Sequence, residues 1–108
     1  MSNYIGEFEE AVMLSVYRLR DNAYSVTVQE DLEGRLGKSA SLGMIYTTLK
    51  RLEDRGFVKS ELGNPTSERG GRPKRLFWMT GAGATALNNA KNRRELMWSD
   101  IEAGEVAR

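Results

Sequence analysis

The chain has 108 residues, with sixteen Lys and Arg against fifteen Asp and Glu, a formal net charge of +1, and neither cysteine nor histidine. That length fits one small domain, whose modest core would gain from association with a second copy. The missing residue types exclude disulfides, thiolate chemistry, His-based acid–base catalysis and most zinc sites. No apolar run approaches a transmembrane span and the acidic N-terminus does not read as a signal peptide, so the expectation is a cytoplasmic protein.

Residues 5–19 predict a first helix. Ile5, Phe8, Val12, Val16 and Leu19 recur at steps of three and four and make one apolar stripe. Met13, Leu14 and Tyr17 fall on another face. A helix apolar on two faces needs two things to pack against, either within its own chain or on another subunit. Asp21, Asn22 and Ala23 break the pattern. A second helix starts at about Ser25 or Thr27, where Thr27 and Glu30 have capping-box spacing, and runs to Leu36 with Val28, Leu32 and Leu36 as its apolar line. Gly37 ends it. Ser41 caps a third helix that stops at Gly56. Leu42, Ile45, Leu49 and Leu52 point it at the core, while Gly43, Thr47, Lys50, Arg51 and Asp54 lie opposite. Two helices joined only by residues 37–40 suggest a helix-turn-helix.

From Phe57 the pattern alternates. Phe57–Leu62 and Lys74–Met79 read as two strands. The stretch between them, Gly63 to Pro73, is too long for a tight hairpin turn and reads as the mobile tip of a two-stranded ribbon. Thr80 caps a last helix reaching about Ile101, in which Leu87, Ala90, Arg94, Met97 and Ile101 form a heptad-like seam flanked by Trp98. The fold class expected is mainly α with a small antiparallel ribbon.

Between residues 50 and 75 stand eight basic and four acidic residues, a net +4, which leaves −3 for the rest of the chain. Segregated positive charge on the third helix and the ribbon is the footprint of a duplex-binding surface. A solvated charged face is the ordinary alternative, and Arg69-Gly-Gly-Arg72-Pro-Lys-Arg75 fits it poorly. Gly81-Ala-Gly83-Ala-Thr-Ala86 matches a dinucleotide fingerprint, but no second strand follows, so it reads as a strand-to-helix turn that allows close packing. No nucleophile stands beside a base, so no enzyme activity and no cofactor or metal are expected. Met97 and Trp98 read first as core or dimer packing and second as the wall of a ligand pocket between subunits.

The run Ser41-Leu-Gly-Met-Ile-Tyr46-Thr-Thr-Leu-Lys-Arg51-Leu-Glu-Asp-Arg-Gly56 resembles the third helix of the PadR-like winged-helix transcriptional regulators. Gly70-Gly71-Arg72-Pro73-Lys74-Arg75 and Thr80-x-x-Gly83 follow in the same order and spacing. The likeness spans residues 5 to 100, with departures at Ser25, where many members have glycine, at Thr47, where many have proline, and at Leu76-Phe77, where an aromatic pair is frequent.

The resemblance implies a winged helix-turn-helix DNA-binding domain over residues 1–80 and a C-terminal dimerisation helix over 81–102, with 103–108 as a frayed tail. It implies a homodimer joined through the first and last helices, with Phe8, Met13, Tyr17, Leu87, Ala90, Arg94, Met97, Trp98 and Ile101 at the interface. The function expected is sequence-specific repression through double-stranded DNA, with a small-molecule effector releasing some members. The alternatives are an aromatic-ligand sensor at the dimer interface and a winged-helix module that binds protein and no DNA. On the DNA reading, Ser41, Gly43, Met44, Thr47 and Thr48 face base edges. Tyr46, Lys50 and Arg51 contact phosphate or play mixed roles, and Arg69, Arg72, Lys74 and Arg75 take phosphate or the minor groove.

Overall fold

A computed structural model of the chain describes residues 4–38, 40–63 and 73–102. Their order is α1 (Glu7–Leu19), a 3-10 turn (Arg20–Asn22), α2 (Ser25–Leu36), α3 (Leu42–Asp54), β1 (Val58–Leu62), β2 (Arg75–Met79) and α4 (Gly81–Trp98). The expected class, mainly helical with one antiparallel ribbon, is what the chain adopts. Among the described residues, no helix is long and apolar enough to cross a membrane.

Local chemistry sets most boundaries. Glu7, Glu9 and Glu10 occupy the first turn of α1, where the helix dipole favours negative charge. Glu9 Oε1 also accepts from the Gly6 N–H at 2.8 Å. The start of α2 differs from expectation: Tyr24 is the cap residue, and Thr27 acts from inside the first turn. The Thr27 hydroxyl accepts from the Tyr24 N–H at 3.0 Å and donates to the Asn22 carbonyl at 2.6 Å, so it has no call on Glu30. Gly37, at φ +69°, ends α2 with its N–H on the Glu33 carbonyl. The ends of α3 fall where expected, and α4 stops at Trp98. There the Ser99 hydroxyl donates to the Leu96 carbonyl at 2.8 Å, which leaves Ile101 outside the helix.

The core sits where α1, α2, α3 and the ribbon meet. Phe77 is its largest fully buried side chain, packed with Val12, Met13, Val16, Ile45, Leu49 and Leu52. The Phe77 N–H donates to the Ala23 carbonyl at 2.9 Å, which fastens β2 to the link between α1 and α2. Val58 pairs with Met79 and Leu62 with Arg75 in a regular antiparallel register. Two leucines expected in the core are not there. Leu36, in the last turn of α2, and Leu42, at the start of α3, lie beyond the edge of the core, and Leu42 is 44% exposed. Ala40 closes against the core in its place.

A knot of close contacts joins the base of the ribbon to α4. The Thr80 N–H donates to the Phe57 carbonyl at 3.1 Å and its hydroxyl donates to the Gly56 carbonyl at 2.6 Å. The same hydroxyl accepts from the Gly83 N–H at 3.0 Å and caps α4. A β-carbon at Gly83 would stand 2.1 Å from the Phe57 carbonyl oxygen, a backbone atom with no freedom to move aside. The strand-to-helix turn lies where the sequence puts it, and of its two glycines it is Gly83 that packing requires.

Two predictions follow from this frame. Gly83→Ala should destabilise the fold by about 3 kcal/mol or more through overpacking. Gly81→Ala, whose β-carbon meets nothing within 4 Å, should be neutral or raise stability by about 0.5 kcal/mol. Urea unfolding midpoints would compare them. The second concerns Asp31, which accepts from Arg18 across the α1–α2 contact and from Arg35 Nε at 3.1 Å. Partial burial pushes its carboxyl up, but side-chain hydrogen bonds, that from Arg18 foremost, outweigh burial and hold it below the usual aspartate range. Such a group adds stability above its unfolded pKa and loses it as pH falls through the lower, folded value. Asp31→Asn should therefore be less stable than wild type at neutral pH, by about 1–2 kcal/mol. The gap should close between about pH 5 and about pH 2, as thermal melts across that range would show.

Candidate nucleic-acid interface

The site is built on α3. Ser41 Oγ accepts from the Met44 N–H at 3.0 Å and fixes where the helix begins. From Ile45 onward the i, i+3, i+4, i+7 positions are Ile45, Thr48, Leu49 and Leu52, and all four are buried. Thr48, placed at base edges from the sequence, is therefore 3% exposed and faces the interior. Its hydroxyl hid it from a reading that counted only apolar residues. Ser41, Gly43, Met44, Tyr46, Thr47 and Arg51 are exposed, and Lys50 stands at the margin. Tyr46 is divided in role: its ring meets the buried Phe77 edge-on, with centroids 6.4 Å apart.

The ribbon stands beside the C-terminal half of α3, and one acid holds the two together. Glu53 Oε1 accepts from Lys50 Nζ at 2.8 Å, one turn earlier on α3. Glu53 Oε2 accepts from the Ser60 hydroxyl of β1 at 2.6 Å. The Ser60 oxygen in turn accepts from Arg75 Nη1 of β2 at 3.0 Å. The hydrogen bonds from Lys50 and Ser60 outweigh partial burial and hold the Glu53 carboxyl below the usual range; the Glu53 bond raises the Lys50 ammonium. The structure thus brings Lys50 and Arg75 together through an acid that sequence reasoning passed over. The i, i+3 spacing of Lys50 and Glu53 was a readable signal. The link to Ser60 depends on how the ribbon docks and was not.

The other cations divide. Lys74 lies 4.6 Å from the ring centroid of Tyr24, at the start of α2. Arg55, counted in the basic stretch, turns inward: Nη1 meets Glu9 Oε1 at 3.2 Å, Nη2 donates to the Tyr4 carbonyl, and the guanidinium covers the Phe57 ring at 4.7 Å. Arg69 and Arg72, with most of the Gly63–Pro73 stretch, lie outside the described residues, as does the 103–108 tail.

The residues expected at a subunit interface separate into two groups. Met13 is fully buried and Ala90 nearly so, both within the chain itself, because Met13 shares the buried stripe of Val12 and Val16. Phe8 and Leu87 pack partly against the core. Arg94 bonds Glu10 across α1 and α4 at 2.6 Å. Tyr17, Met97, Trp98 and Ile101 remain exposed, Met97 at 78% and Trp98 at 50%. Trp98 and Met97 border a groove of about 580 Å³ with Tyr4 and Ile5. A larger cleft, about 860 Å³, lies between α1 and α4 and is lined by Leu14, Tyr17, Trp78 and Leu87. The sequence reading missed it because it treated Trp78 only as a strand residue.

Known proteins share this fold. The chain superimposes with a TM-score of 0.72 on a PadR-like transcriptional regulator from Bacillus cereus, at 15% identity over 94% of this chain and 93% of that one. A PadR-like transcription factor from Bacteroides fragilis gives 0.71 at 22% identity, over 93% and 89%. A PadR family transcriptional regulator from Eggerthella lenta gives 0.69 at 22% identity, over 94% and 88%. A search of curated protein sequences found no match. The sequence pattern described as the transcriptional regulator PadR-like family matches residues 13–89, from the middle of α1 into α4. The chain belongs to the PadR-like family of transcriptional regulators.

Proposed function

We propose that the protein is a sequence-specific DNA-binding repressor that acts as a homodimer. The observation that carries this reading is the outer face of α3: Gly43, Met44, Thr47 and Arg51 are exposed on the second helix of a helix-turn-helix, beside a basic ribbon. Gly43 adds to it. A β-carbon there would meet only Ser41 Oγ, at 3.9 Å, so packing within the chain does not demand glycine, whereas close approach of the helix to a duplex would. Ser41, Gly43, Met44 and Thr47 are assigned to base edges, with Thr48 withdrawn. Tyr46, Lys50 and Arg51 are assigned to phosphate or mixed contacts, and Arg69, Arg72, Lys74 and Arg75 to phosphate or the minor groove. Residues 1–80 form the DNA-binding unit on this reading, and α4 joins two copies, with Tyr17, Met97, Trp98 and Ile101 available to the partner.

Selection of bound sequences from random duplexes is the test. It should recover a palindrome with half-site centres about 34 Å apart. Thr47→Ala should change the bases recovered. Arg72→Ala should weaken all sequences alike and lower the salt slope by about one. Selection that recovers no common site would overturn the reading.

A small-molecule effector is the second reading, supported by the two apolar recesses beside α4. Planar aromatic compounds should quench Trp98 fluorescence in a Trp78→Phe variant and loosen the selected duplex. Quenching without a change in DNA affinity would count against a regulatory role.

A further inference from the structure

We propose that Glu53 is a positioning residue for DNA recognition, setting α3 and the ribbon in the relative orientation that reads sequence; the inference rests on the DNA-binding reading above.

An acid is out of place beside a surface meant for phosphate, because its charge opposes the ligand. Here its two oxygens do different things. One holds Lys50 on α3 and the other holds Ser60 on β1, and Ser60 passes the link to Arg75 on β2. Lys50 and Arg75 would otherwise be long side chains with many rotamers. With both tied to Glu53, the spacing between a helix cation and a ribbon cation becomes a property of the fold. The Glu53 side chain is 26% exposed and that of Lys50 42%, so the bridge adds little to stability and its loss should leave the chain folded. Its value lies in geometry. Register needs both the helix and the ribbon to meet the duplex at once, and among the described residues the bridge is the side-chain hydrogen-bonded connection between α3 and β1.

The test uses two variants of the full-length protein on two duplexes, the selected site and a scrambled one, across a range of salt. Glu53→Gln removes a negative charge and loosens Lys50. It should bind the scrambled duplex more tightly, with a salt slope raised by up to about one. Its preference for the selected site should fall on the order of tenfold, the scale of one lost base contact. Ser60→Ala leaves charge and the Lys50–Glu53 bond unchanged, while it cuts the link from Glu53 to the ribbon and with it the hold on Arg75. It should keep wild-type affinity and slope on the scrambled duplex and lose preference to a similar degree. If Ser60→Ala keeps the full preference, the role of Glu53 is electrostatic alone and the proposal is overturned. Preference kept in both variants overturns it equally. Wild-type protein that shows no preference at all refutes the underlying DNA reading, and this inference with it. Circular dichroism melts confirm that both variants are folded.

Discussion

The crossing of Gly56-Phe57 with Thr80-Gly83 is the constraint on which the geometry of this chain depends. At that point α3 ends, the ribbon begins and ends, and α4 departs. The Phe57 N–H takes the Leu52 carbonyl at 2.9 Å, and its own carbonyl receives the Thr80 N–H. The Thr80 hydroxyl closes the circuit by donating to Gly56 and accepting from Gly83. Gly56, at φ +82°, makes the reversal that sends the chain from helix to strand. Since Gly83 lies directly against the Phe57 carbonyl, no larger residue could bring α4 this close. The direction of the ribbon relative to α3, and of α4 relative to both, is therefore decided within a few backbone contacts. The Glu53 bridge then acts on a ribbon whose base is already held.

Charge in the basic stretch is divided between internal and external use. Arg55 is committed to Glu9, to the Tyr4 carbonyl and to the Phe57 ring, so it ties the start of α1 to the end of α3. Lys50 and Arg75 share the Glu53–Ser60 network, and Lys74 lies over Tyr24. Partly exposed bridges of this kind contribute on the order of 0–1 kcal/mol each. Their effect is on orientation more than on stability. A net +4 over residues 50–75 thus overstates the charge open to a ligand in the free chain. Arg51 and Lys59 are the exposed cations of α3 and β1, and Lys50, Lys74 and Arg75 reach outward from the anchors just named.

Much of this was legible in the residues, and the misses share a cause. Helix caps by Ser41 and Thr80, the strand pair and the tight glycine turn are local chemistry, and each appears where its residues put it. Burial is not local. Thr48 lies on the buried stripe although it is polar, and Leu36 and Leu42 lie off the core although they are apolar, because the core ends before the helices do. The two apolar faces of α1 have one explanation for Met13, which is buried by its own chain, and another for Leu14 and Tyr17, which border the cleft against α4. Periodicity detects both faces equally and cannot say which neighbour covers each. Glu53 escaped notice for a similar reason: as one of four acids in a basic stretch, it reads as noise until the ribbon is seen to lean on it.

The seam of α4 changes character along its length. Gly83, Ala86 and Ala90 are buried, and these small residues let the helix approach its own chain. Beyond them, Arg94 reaches back to Glu10, and Leu96, Met97 and Trp98 are left exposed. A helix that outruns its core has no burial to sustain its last two turns, and short helices are marginal on their own. The radius of gyration, 16.0 Å, exceeds the roughly 13 Å of a compact domain of this size, which fits an element projecting from the body. Contiguous apolar side chains on such a projection are unusual for a lone monomer. On the proposed reading the second copy supplies the missing burial, and the heptad spacing continues because it serves two partners in succession: its own α1 first, then the other subunit. A duplex-reading protein gains from that division. On that reading the half of α4 anchored by Gly83 against Phe57 ties the partner to the end of α3, and the separation of the two α3 helices would be set by the same few contacts that build each subunit.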